Sequence, residues 1–108
     1  MSPFDPYTFL YCFSIAVAHL AARRFEQAIE WAARALHDQP RMVTAMRVKL
    51  AANAHLGRLD EARAELSRVL VIDPKLTIAG FREYFHFAAP EVLELYVAGF
   101  RLAGLLEE

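Results

Sequence analysis

The chain has 108 residues, with 12 basic and 13 acidic side chains and a formal net charge of −1. That length supports one modest core, and a pI near 6.4 provides no basic face for nucleic acid or an anionic membrane. The 56% hydrophobic content is high for so small a chain, so apolar surface should be left for a partner once a core is filled. The single cysteine, Cys12, excludes a disulfide framework and a thiolate metal cage, and suits a reducing cytoplasm.

Helical periodicity dominates, and no strand-like alternation lasts long enough to compete. Asp5 before Pro6 predicts a capped helix start, and the first helix extends to about residue 22. Residues 6–22 carry no formal charge. They lack the basic flank of a leader peptide, and Thr8, Ser14 and His19 interrupt the roughly 20 apolar residues a membrane span needs. The expectation is a helix buried on most sides.

A second helix over 25–38 places Phe25, Ala28, Ile29, Ala32, Ala35 and Leu36 on one stripe, and Pro40 closes it. A third, over 42–56, carries Val43, Met46, Leu50 and Ala54 at helical spacing. Gly57 is placed to end it in a left-handed conformation. The fourth, over 59–72, turns Leu59, Ala62, Leu66, Val69 and Leu70 inward before Asp73-Pro74 stops it. A shorter helix is predicted over 77–85. HFAAPE then interrupts, and a last helix runs from Pro90 to near Gly104. Turns this short make neighbouring helices antiparallel, so the building unit is a helical hairpin.

Residues 23–40, RRFEQAIEWAARALHDQP, align without a gap on residues 57–74, GRLDEARAELSRVLVIDP, at an offset of 34. Arg24/Arg58, Ala28/Ala62, Arg34/Arg68, Leu36/Leu70 and Pro40/Pro74 are identical, and Ala18 in the preceding helix matches Ala52. The shared alanines let helices approach closely. Phe25 and Leu59 plug the turn, Leu36 and Leu70 face the next hairpin, and the prolines redirect the chain.

A 34-residue helix–turn–helix with these positions resembles the tetratricopeptide repeat. The resemblance divides one domain, 1–108, into repeats over 9–40 and 43–74 and a divergent helical cap over 77–105. It implies an all-α fold of antiparallel hairpins wound as a right-handed superhelix. The sequence departs from the family pattern in places. Arg23 stands where Gly57 stands, and His19 and Asn53 replace the expected aromatic. Leu50 replaces the small residue kept as Ala16. The segment from Asp73 onward and the opening SPFDP are similar to C-terminal segments of bacterial class III adenylate or guanylate cyclases and related regulators. That second resemblance implies a regulatory or assembly segment, with no catalytic part inside this chain.

No residue pattern points to chemistry. His19, His37, His55 and His86 fall on different predicted elements, and no metal-binding or nucleophile motif occurs. Glu83-x-x-His86 is a single copy of a spacing that di-iron bundles use twice, so a solvent-facing turn is expected there. No enzyme, cofactor or metal is implied. The aromatic run of Phe4, Tyr7, Phe9, Tyr11 and Phe13 has no Lys or Arg within it, which argues against stacking on nucleic acid.

By the resemblance, the first helix of each hairpin lines a concave, protein-binding face. Here that face takes Leu10, Phe13, Val17, Arg47, Val48, Ala51, His55, Ile78, Phe81 and Arg82. Some family members grip a peptide's terminal carboxylate there. The matching positions Phe13, Val17, Val48 and Ile78 are apolar, and only Arg82 stays suitable. The groove fits an amphipathic helix or apolar segment. In the alternative, the closing helix covers the groove with Val92, Leu95, Tyr96, Phe100 and Leu102. At the other end nothing covers the face of residues 4–20, so Phe4, Tyr7 and Tyr11 are expected to meet a second copy or upstream repeats. A small ligand in the groove between the hairpins is the remaining alternative.

Overall fold

The computed structural model describes residues 7–108. Its helices, in chain order, are α1 (Thr8–Ala21), α2 (Phe25–Asp38), α3 (Val43–His55), α4 (Leu59–Ile72), α5 (Ile78–Tyr84) and α6 (Pro90–Ala103). No strand occurs among the described residues. The expected bounds of α2 and α4 agree to the residue. The expected Asp5-Pro6 start lies outside the described residues, and α1 opens at Tyr7 without a side-chain cap hydrogen bond.

The sequence repeat is also a repeat of backbone hydrogen bonds. In the first hairpin, Arg24 N donates to His19 O at 2.8 Å and Arg23 N to Leu20 O at 3.0 Å. In the second, Arg58 N donates to Asn53 O at 2.9 Å and Gly57 N to Ala54 O at 3.0 Å. Each pair satisfies the last carbonyls of a helix and requires one left-handed residue after it. Gly57 adopts φ 80°, and Arg23 adopts φ 61° at the same place. A side chain in that region costs roughly 1–2 kcal/mol. Arg23→Gly is therefore expected to raise unfolding stability by about 0.5–1 kcal/mol, the remainder being offset by the looser unfolded chain of glycine. Gly57→Ala should lower it by about 1 kcal/mol. Urea midpoints of the two variants check both signs.

Close approach within the hairpins depends on small residues. Ala16, Ala28, Ala32, Ala52 and Ala62 are all fully buried, which brings α1 onto α2 and α3 onto α4. Arg58 in the second turn pairs with Glu26 of α2 and ties one repeat to the next. The helix the others assemble on is α3. Nine of its 13 residues are buried, so the single stripe expected from Val43, Met46, Leu50 and Ala54 is only part of its packed surface. α1 is the reverse case. It was expected to be buried on most sides, yet only Cys12, Ala16 and Leu20 are fully buried, because its partners lie on one side.

The last two helices break the repeat. α5 makes its helix contacts with α6 and none with α4, while α6 packs mainly on α3 and also touches α1, α4 and α5. Gly99 permits this. A Cβ placed there would sit 2.7 Å from the Ala51 Cα, so the backbones of α3 and α6 are nearly in contact. The chain end then returns to α5. Ile78 N and Ala79 N each donate at 2.9 Å, to Leu106 O and Glu107 O. Buried Leu105 and the Arg101–Glu107 ion pair at 2.8 Å hold the tail there.

Candidate functional site

α6 packs on α3, the helix that carries Arg47, Val48, Ala51 and His55 of the expected binding face. Val48 and Ala51 are fully buried, and Ile78 and Phe81 are 1% and 2% exposed. Phe13 and Val17 of α1 are half-buried against the same core. Leu10 is still exposed. Ala51 lies against the Gly99 backbone of α6, so a partner reaches it only if α6 leaves. The covering set differs in part from the expected one. Leu95, Tyr96 and Phe100 are buried and Val92 is half-buried, but Leu102 is 51% exposed and faces away from the groove. Helical geometry explains the difference, since Leu102 lies half a turn from Phe100 while Ala103 completes the inward stripe.

His55 and Arg82 are both engaged by α6. His55 Nε2 lies 2.7 Å from Leu95 O, and a carbonyl can only accept, so this nitrogen carries the proton. The His55 ring also stacks on Phe25, with centroids 5.0 Å apart, so it braces the first turn against the last helix. Arg82 pairs with Glu94. That hydrogen bond raises the Arg82 pKa and lowers the Glu94 pKa. The cation that the resemblance offered for a peptide's terminal carboxylate is thus held by a carboxylate of the same chain.

Arg47 has the most unusual setting. Its guanidinium lies 5.6 Å from the ring centres of both Phe81 and Phe85, within cation–π range. Its nearest acid is Asp73, at 3.6 Å. Its Nε is buried without a hydrogen-bond partner. Burial lowers the Arg47 pKa and outweighs the opposing pull of Asp73. Tyr96, packed on the same rings, has its pKa pushed up to about 12, chiefly by burial. Beside Arg47 is a cavity of about 260 Å³, lined by Asp73, Lys75, Leu76, Thr77, Gly80, Phe81 and Tyr84.

Sequence reasoning placed Arg47 on the binding face but missed this cavity, having read Asp73-Pro74 only as a helix stop. It also missed Glu65, which is 3% exposed and lies 3.0 Å from Lys49 and 2.8 Å from Arg68. The separation of Lys49 from Glu65 along the chain carries no local signal. Glu83 and His86 are exposed, and His86 Nδ1, in the turn after α5, hydrogen-bonds to Glu83 O at 2.7 Å. No group of three or more potential metal ligands occurs among the described residues, and none of their helices is long and apolar enough to cross a membrane.

A family model described as tetratricopeptide repeat matches residues 13–76, more than half of the chain. The chain is a tetratricopeptide-repeat protein. No curated protein and no solved structure matches it. The matched span covers most of α1, all of α2 to α4, and the turn that leads to α5. Tetratricopeptide repeats generally mediate protein–protein contacts and are typically non-catalytic. The buried alanines and duplicated turns of this chain are the scaffold on which such contacts are carried.

Proposed function

We propose that this chain is a non-catalytic protein–protein interaction module that docks through the outer face of α1 onto a second copy of itself. Exposure carries the reading. Tyr7, Leu10 and Tyr11 are 62%, 42% and 52% exposed, and their spacing puts them on one face of the helix. Ser14, Ala18 and Ala21 continue that face, also exposed and all small, so an approaching helix can lie close along it. Large exposed aromatics beside small residues mark an interaction surface better than a solvated one. Phe4, the third residue expected there, lies outside the described residues.

The setting we propose is the regulatory or assembly segment of a bacterial signalling protein. The similarity of SPFDP and of the closing segment to the C-terminal parts of class III cyclases supports it. A cytoplasmic location suits the free, buried Cys12. In a longer parent, an upstream repeat presents the same kind of helix to α1 as a second copy does.

Analytical ultracentrifugation from about 10 µM to 1 mM tests self-association, the range in which free energies of roughly −4 to −7 kcal/mol become visible. A reversible monomer–dimer equilibrium is expected, and Tyr11→Glu should abolish it without changing the circular dichroism spectrum. Phe13 is the wrong probe, because it packs against the core and its replacement perturbs folding. A wild-type monomer across the whole range would falsify the self-association reading.

A further inference from the structure

None of the residues that line the cavity beside Arg47 belongs to α1. The cavity floor is apolar, formed by Phe81 and Leu76, and its walls carry two cations, Arg47 and Lys75, against one carboxylate, Asp73. Arg47 is only 9% exposed. A guanidinium has five N–H donors; Nε here has no hydrogen-bond partner, and Nη2 forms an ion pair with Asp73 at 3.6 Å. Lys75 is exposed and makes no ion pair among the described residues. Burying a charge is costly unless it is paired; Arg47 and Lys75 share the single carboxylate of Asp73 here, which leaves the cavity lining with one excess positive charge.

The rim indicates what accompanies an anion attracted to that charge. Tyr84 is 69% exposed and Phe87 is 72% exposed. The rings of Tyr84, Phe85 and Phe87 form a continuous row, with successive centroids 4.9 and 5.6 Å apart. An exposed tyrosine lining a cationic cavity, with an aromatic row continuing from it, suits a ligand that is acidic at one point and apolar beside it. The cavity, about 260 Å³ with an apolar floor, takes the methylenes and carboxylate of a single side chain better than a chain end with its backbone.

We propose that this cavity is a docking site for an acidic partner segment, which presents one glutamate side chain to Arg47 and Lys75 and an adjacent apolar side chain to Tyr84. The proposal rests on the chain being a protein-binding module, and not on α1 being the docking face. It differs from the terminal-carboxylate grip known for other tetratricopeptide repeats. The positions matching that grip, Phe13, Val17, Val48 and Ile78, are apolar here, and the ligand offered is a side chain.

The test is an NMR titration of the whole chain with the blocked tripeptide acetyl-Leu-Glu-Leu-amide, following backbone amides. Saturable shifts are expected at Lys75, Thr77 and Gly80, with a Kd on the order of millimolar. Lys75→Glu, at an exposed position, should weaken binding roughly tenfold or more, while Tyr11→Glu should leave it unchanged. Absence of saturable shifts up to roughly 20 mM peptide overturns the proposal, as does equal binding of acetyl-Leu-Gln-Leu-amide. Recovery of binding when the glutamine peptide carries a free C-terminal carboxylate overturns the side-chain assignment. Sedimentation of the same samples reports on the α1 face separately, so the two readings fail independently.

Discussion

Gly99→Ala is expected to destabilise the chain by about 2 kcal/mol, and Gly99→Leu by more. In an ordinary helix interior the alanine change gains roughly 1 kcal/mol. Here the sign reverses because the new methyl would meet the Ala51 Cα at 2.7 Å and the Ala51 carbonyl oxygen at 3.1 Å. Backbone atoms do not rotate aside as a flexible side chain does, so α6 must lift from α3. Lifting α6 uncovers Val48 and Ala51, and the leucine variant should also bind a hydrophobic dye that the wild type excludes. Urea unfolding of both variants, with dye fluorescence in dilute buffer, provides the check. If Gly99→Ala is as stable as the wild type, the helices do not pack in backbone contact.

The second large effect is at Phe81. Phe81→Ala should cost about 4 kcal/mol, within the range for emptying an aromatic site in a packed core. Phe81 is 2% exposed. Its ring lies 4.3 Å from Phe85, 4.8 Å from Phe100 and 5.5 Å from Tyr96. It therefore joins α5, the loop after it and α6, alongside the Arg82–Glu94 ion pair and the contact of Phe85 with Tyr96. Domains of this size are stable by only about 5–15 kcal/mol, so the variant should be partly unfolded at moderate temperature. Phe81→Leu fills more of the volume and should cost about half as much or less, but it removes the ring face beneath Arg47. A loss under about 1 kcal/mol for the alanine variant would show that α5 adds little to the core.

The repeat was legible because its signals are local. The offset of 34, the alanines at 28 and 62, and the prolines at 40 and 74 act within one hairpin, and the hydrogen bonds of both turns follow the same offset. Even the departure at Arg23 was visible, since the residue occupying a glycine's place must adopt the glycine's conformation. The site was less legible. The list of concave residues was a matter of helical position, and position alone did not say whether that face was open. Arg82 read as suited to a terminal carboxylate, and only the fold brings Glu94, on another helix, beside it.

By itself, the sequence determined that the chain is all-helical, that its central part is a pair of matching hairpins, and where each turn falls. Periodicity and capping are properties of neighbouring residues, and they survive whatever the rest of the chain does. Only the tertiary structure decided that α6 packs on α3, which side of α1 stays exposed, and that Arg47 sits buried with Asp73 as its ion-pair partner. Those outcomes depend on where α6 settles. That in turn depends on a glycine meeting an alanine 48 positions away, a fit of backbone against backbone for which hydrophobic patterning has no signal.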